Sequence, residues 1–205
     1  MSLLYKVFYQ LGITPWEGDP SHGPAAEQID VLLRREEGER TPPYGRALDL
    51  GCGSGIWSVA LAKRGWQVTG VDVVPKAIAR ARDRARAAGV DVQFLESDVT
   101  ALQVAGVESG FRFVLDFECF NHLTPVQRKS VGREVTALAA RDATMLMLVW
   151  APGRRWPLAP GASRKDIEVA FPAWIVVAED GYAAVSTLPA WLRNVDLRFY
   201  RLSRA

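Results

Sequence analysis

The sequence is poor in cysteine. Among its 205 residues there are two, Cys52 and Cys119. Two thiols make neither a disulfide framework nor a metal-ligand set. They suit a reducing compartment, so the expected location is the cytoplasm. A charge of one sign is lacking too. The formal net charge is +2, too small to draw the chain to nucleic acid or to an anionic membrane. Long apolar runs are missing: the longest, Met145 to Pro152, falls far short of the roughly 20 residues a spanning helix needs. The opening Met1-Ser2-Leu3-Leu4-Tyr5-Lys6 meets polar residues too early for a secretory leader. There is no internal repeat, no low-complexity tract and no signal for an oligomeric state. What is present is 49% apolar and 23% charged, the balance of a globular chain with a core of its own. The length suits one domain.

The pattern divides near residue 40. Residues 1–40 read as a helical lead-in. It holds the turn cluster Pro20-Ser21-His22-Gly23-Pro24, then a helical stretch from Ala25 to Glu37 with Ile29, Leu32 and Leu33 on one face. Thr41-Pro42-Pro43 cannot continue a helix. From residue 41 to 205, short apolar runs alternate with helical stretches. Strands are predicted at 46–50, 67–72, 92–95, 111–115 and 144–150. Helices are predicted at 56–63, 75–88 and after Thr124, where Pro125 and Gln127 complete a start signal. Alternation of this kind gives a doubly wound α/β fold with a mostly parallel sheet and helices on both faces. The tail departs from it. Ser163 suits the cap of a short helix, and the runs 174–178 and 195–202 have no helix between them, so they read as an antiparallel pair at the sheet edge.

The most informative segment is Leu48-Asp49-Leu50-Gly51-Cys52-Gly53-Ser54-Gly55. A strand feeds a glycine-rich turn that opens a helix, the arrangement that lets a ligand approach the backbone at the carboxyl end of an α/β sheet. Asp72 ends the next strand, where an acid typically takes the hydroxyls of a ribose. A dinucleotide site would share that much. Here, however, Ile56 stands where the dinucleotide fingerprint wants its third glycine, and the Asp49 carboxylate would repel a pyrophosphate. A ligand with an ammonium and a sulfonium group instead gains charge-assisted hydrogen bonds from Asp49.

These residues resemble motif I of the class I S-adenosylmethionine-dependent methyltransferases, small-molecule type. Val71-Asp72 is similar to the family's ribose-binding acid, Glu96-Ser97-Asp98-Val99 to its adenine-edge segment, and Phe113-Val114-Leu115-Asp116 to the strand ending under the transferred methyl. The resemblance covers Tyr44 to about Trp150. It implies a seven-stranded sheet of order 3-2-1-4-5-7-6 with the last strand antiparallel. It also implies S-adenosyl-L-methionine as cofactor, with Trp16, Asp49, Gly51, Cys52, Gly53, Gly55, Asp72, Val73, Asp98, Val99, Asp116 and Phe117 as its binding residues.

Several side chains carry two readings. Trp16 either packs a loop on the core or, with Tyr5, Phe8 and Tyr9, forms a lid whose aromatic face favours a sulfonium. Asp116 either neutralises the sulfonium or caps its strand. His122 is the candidate general base, with an ordinary pKa near 6.5; the alternative is a structural place at the start of the next helix. Phe117-Glu118-Cys119-Phe120-Asn121-His122 lacks the Asn/Asp-Pro-Pro-Tyr/Phe motif of many nucleobase amino methylases. Arg80, Arg82, Arg84 and Arg86 spread around their helix, which points to a solvated surface. Trp16, Phe117, Phe120 and Trp150 near the expected mouth suggest a small, flat or apolar acceptor, methylated at O, N or S. The rivals are an RNA or protein methyltransferase, a non-catalytic binder of the same cofactor, and a nicotinamide oxidoreductase disfavoured by Asp49 and Ile56.

Overall fold

A computed structural model describes residues 24–153, 160–182 and 196–205, together with Val7 and Leu11. In chain order the elements are α1 (Pro24–Gly38), β1 (Arg46–Leu50), α2 (Ile56–Lys63), β2 (Gln67–Asp72), α3 (Pro75–Ala88), β3 (Val92–Glu96), β4 (Phe111–Phe117), a 3-10 turn (Cys119–His122), α4 (Pro125–Leu138), β5 (Ala139–Trp150), α5 (Arg164–Ala170), β6 (Trp174–Gly181) and β7 (Leu197–Arg204). The strands form one seven-stranded sheet of order β3-β2-β1-β4-β5-β7-β6. The first five strands pair in parallel, and β7 runs antiparallel to both β5 and β6. This is the fold and strand order expected from the sequence. The tail pair is present as expected, with β6 at the edge and β7 inside it.

Strand parity decides which residue meets which helix layer. Ala47 of β1, Phe113 and Leu115 of β4, and Leu146 and Leu148 of β5 join Ile29, Leu32 and Leu33 of α1 and Leu61 of α2 on one face. Leu48, Leu50, Val114, Met145 and Met147 face the other way, onto Val131, Val135 and Leu138 of α4 and Ile167 and Ala170 of α5. A fully buried leucine or phenylalanine in such a layer contributes about 1.5–3 kcal/mol.

Two helices start as their sequences foretell. Thr124 accepts from the Gln127 amide while the Gln127 side chain returns to the Thr124 amide, and Ser163 does the same with Asp166. A cap of this type is worth about 1 kcal/mol. The helix α1 is pinned by charge as well as by its apolar stripe. Buried Glu36 accepts from the Arg201 guanidinium of β7 at 2.5 Å and from Thr144 Oγ1 of β5 at 2.6 Å. Removing one partner of such a buried ion pair typically costs about 3–5 kcal/mol. One boundary differs from the sequence reading: β5 begins at Ala139, not Thr144. Its first turn of strand carries exposed Arg141 and Asp142, and Asp142 takes the Arg112 guanidinium of β4 at 2.6 Å. Side-chain pairing across the strands holds this polar stretch extended, and an apolar run cannot reveal that.

Candidate functional site

Order reverses between β1 and β4, since β2 continues on one side of β1 and β5 on the other side of β4. That is where open α/β sheets bind ligands. A solvent-connected cleft lies there, walled by the loops after β1, β2, β3 and β4.

The β1 loop is shaped by its neighbours. Gly51 has φ +65°, and a Cβ on it would lie 2.7 Å from Cys119 Cβ, so only glycine lets this turn pass under the 3-10 turn. Asp49 shares the parity of Ala47, which directs it to the α2 side, and Ser58 Oγ of α2 donates to it at 2.5 Å. The carboxyl is buried. Burial pushes it up to about 7 against the lowering effect of the Ser58 hydrogen bond, and the charge of Asp72 adds to the rise. Asp72 closes the neighbouring lip. Its two oxygens accept from the Gly53 amide at 3.0 Å and the Val74 amide at 2.8 Å. Each carboxylate oxygen can take a second donor. From behind, Arg84 of α3 donates to the Ser54 carbonyl at 2.9 Å and to Ser54 Oγ at 3.2 Å. The arginines of α3 are therefore not all solvated surface: Arg84 braces the glycine loop, and Arg82 holds the Phe94 carbonyl of β3 at 3.0 Å. Asp98 starts a turn by accepting from the amide and hydroxyl of Thr100. It forms the far wall with Ser97 and buried Val99.

The β4 side supplies Phe117, Glu118, Cys119, His122 and Leu123. The Phe117 ring stacks on Trp57 of α2, with centroids 4.9 Å apart.

Most residues expected at the site meet in this one cleft: Asp49, Gly51, Cys52, Gly53, Asp72, Val73, Asp98, Val99, Phe117 and His122. Two do not line it. Gly55 caps α2 in the left-handed region with Ala81 and Phe94 packed against it, so it serves helix packing. Asp116 has the parity of Val114 and turns to the α4 face. There it accepts from the Phe120 amide at 3.1 Å and orders the 3-10 turn, with burial raising its carboxyl to about 7. His122 lines the cleft. It lies edge-on to Trp150, and burial lowers it to about 4, away from the near-neutral value expected of a base. Among the aromatics expected at the mouth, Phe120 is fully buried against Phe171 and Arg128, and Trp150 is buried beside His122. Trp16, Tyr5, Phe8 and Tyr9 lie outside the described residues. Sequence reasoning missed Trp57, Ser58 and Glu118. Ser58 was findable, because a small polar residue in an apolar helix, facing a strand with a buried acid, needs a partner.

The family profile described as "Methyltransferase domain" matches residues 47–142, the span that builds every wall of this cleft. The chain thus carries a stretch similar to a methyltransferase domain over residues 47–142. It is 26% identical to a ubiquinone biosynthesis O-methyltransferase of Xanthomonas axonopodis pv. citri over 92% of this chain and 77% of that protein. It is 37% identical to ribosomal RNA small subunit methyltransferase C of Alcanivorax borkumensis over 38% of this chain, and spans only 24% of that protein's length. Among solved structures, the magnesium protoporphyrin IX methyltransferase of Synechocystis PCC 6803 superposes with a TM-score of 0.74 at 17% identity, covering 99% of this chain and 96% of that one. At that identity the likeness speaks for the fold.

The Synechocystis enzyme was solved with bound S-adenosylmethionine, and the chemistry of the cleft described here suits a ligand of that kind. No lysine or arginine lines the cleft among the described residues. A buried acid such as Asp49 accommodates a ligand that brings its own positive charge, and an anionic pyrophosphate would find no counter-charge among the described lining residues. Among the described residues there is no group of His, Cys, Asp and Glu able to hold a metal ion, and no helix long and apolar enough to cross a membrane.

Proposed function

We propose that this chain uses S-adenosylmethionine to methylate an oxygen, nitrogen or sulfur atom of a small, flat or apolar acceptor. The observation that carries this reading is Asp49: a buried carboxyl on the cleft floor, poised near neutrality with a serine hydroxyl as its hydrogen-bond partner. When bound, the cofactor supplies a methyl group already activated on a cationic sulfur. The chain's work is then to hold, orient and exclude water.

Asp49 takes the ammonium end. Asp72, fixed by two backbone amides, takes the ribose hydroxyls. Asp98 and Val99 border the adenine, Val73 lines its approach, and the backbone of Gly51, Cys52 and Gly53 lets the ligand close. Phe117, stacked on Trp57, gives the acceptor side a flat apolar wall. The free thiols Cys52 and Cys119 are consistent with a cytoplasmic setting.

The match to an RNA methyltransferase favours a second reading, a nucleic-acid acceptor. It is the weaker one, because Arg82 and Arg84 are engaged by the protein's own backbone and the net charge is small. Incubation of the protein with labelled S-adenosylmethionine and a cell extract, followed by separation of small molecules, RNA and protein, tests the proposal. Label is expected in the small-molecule fraction. Label confined to RNA or protein would overturn the acceptor class, and tight binding without any transfer would mark a non-catalytic binder.

A further inference from the structure

Glu118 is the only described residue other than glycine with a positive φ, at +73°. A branched or long side chain in the left-handed region is strained, and such strain tends to persist at working sites. The bend is held from β5, whose Leu148 carbonyl accepts the Glu118 amide at 3.1 Å. It places Glu118 in the cleft wall between Phe117 and Cys119, at the end of the strand that faces the acceptor. No cation lines the cleft among the described residues. The titratable groups around Glu118 are Asp116 on β4, Cys119 and His122 on the 3-10 turn, and Tyr182 after β6, whose phenol is raised first by burial and then by the charge of Glu118. Across the cleft stand Asp49, Asp72 and Asp98.

We propose that Glu118 takes the proton that leaves an acceptor hydroxyl, thiol or amine as it is methylated. This rests on the reading of the cleft as a methyl-transfer site. An acceptor lone pair forms the bond to the methyl carbon, the carbon–sulfur bond breaks with its electron pair left on sulfur, and the acceptor's proton passes to the Glu118 carboxylate, which later yields it to water. Glu118 and His122 both line this wall. Desolvation pushes Glu118 up to about 7 and His122 down to about 4, so Glu118 holds a proton more tightly than His122. Near pH 7 about half of Glu118 is still ionised and able to accept one.

The test uses the whole protein saturated with S-adenosylhomocysteine. Calorimetry separates the two readings: a protein that does not bind S-adenosylhomocysteine defeats the methyl-transfer reading and this proposal with it. In loaded protein carrying carboxyl-labelled glutamate, the carbon resonance that Glu118→Gln removes should titrate near pH 7. Glu118→Gln should keep its affinity for S-adenosylhomocysteine within a few-fold. Against a panel of catechols, aryl thiols and primary amines, it should lower transfer roughly 10²–10⁴-fold at neutral pH and recover as the acceptor itself ionises. His122→Gln should keep the parent's pH profile. Glu118→Gly should melt higher than the parent, because glycine adopts this backbone without strain. A Glu118 resonance titrating in the ordinary carboxylate range overturns the proposal whether or not the panel is turned over. So does a Glu118→Gln protein within a few-fold of the parent with an unshifted profile, and so does a Glu118→Gly protein that melts lower.

Discussion

On the β1–β2 side of the cleft, polar groups are committed before any ligand arrives. Asp72 holds the Gly53 and Val74 amides, Asp49 holds Ser58, and Arg84 holds Ser54 from behind. On the β4 side the backbone is ordered just as firmly, by Asp116 and by the Leu148 carbonyl, but Glu118 and His122 present side chains displaced from their ordinary pKa values by burial. The contrast suits a two-substrate cleft. Under the proposed reading the first wall takes the cofactor and the second faces the acceptor, and each holds a carboxyl raised toward neutrality, Asp49 and Glu118. Changes on the first wall should strike cofactor affinity whatever the acceptor, and changes on the second should strike transfer while affinity stands.

The largest effect is expected at Gly51. A valine there meets Cys119 and must adopt φ +65°, so Gly51→Val should abolish detectable S-adenosylmethionine binding by calorimetry. The added Cys119→Gly change should restore part of it; no restoration would mean that the clash is not what closes the site. Next comes Asp72→Ala, which removes a charge-assisted acceptor worth about 1.5–3 kcal/mol and should weaken cofactor binding roughly tenfold to a hundredfold. An unchanged Kd in a folded protein would remove Asp72 from the binding wall.

The pH effect ranks third. Asp49 is protonated below about 7 in the unliganded protein and cannot then pair with a cation. Affinity for S-adenosylmethionine should therefore fall by up to about tenfold per unit as pH drops below 7, and Asp49→Asn should flatten that slope. Stability without ligand runs the other way. Carboxyls raised to about 7 at Asp49, Asp116 and Glu118 bind protons in the folded state that the unfolded chain releases near 4. Melting temperature should thus decline as pH rises from about 4 to 7. His122, lowered to about 4, contributes with the opposite sign over about 4 to 6.5, and the three carboxyls outnumber it. A melting temperature that rises steadily across this window would contradict the raised carboxyls of Asp49, Asp116 and Glu118. The smallest effect belongs to Arg84→Ala. It loosens the glycine loop without touching the ligand, and calorimetry should register a few-fold loss in affinity.

Much of the fold is legible because its signals are local. The glycine turn, the Pro125 helix start, the capping pairs at Thr124 and Ser163, and the apolar strands each lie within a few consecutive residues. The cleft floor was legible for the same reason: Asp49, Gly51, Gly53 and Asp72 sit at fixed steps from strand ends. What escaped depends on contacts distant in sequence. Asp116 turns away from the cleft because parity along β4 sends it to the α4 face, and Phe120 is drawn inward by a 3-10 turn that no short-range pattern announces. Ordinary pKa values gave no warning that burial would separate His122 from Glu118. The polar start of β5 is held by Arg112 of another strand, and periodicity cannot register such a pairing.

The central claim is that the cleft is built for a cationic, phosphate-free nucleoside ligand. Titration calorimetry of the whole protein at about pH 7.5 with S-adenosylmethionine, S-adenosylhomocysteine and NAD tests it most directly. Saturable binding of the first two, lost in Gly51→Val and weakened in Asp72→Ala, is the expected result, with no heat from NAD. Binding of NAD with none of S-adenosylmethionine would contradict the account.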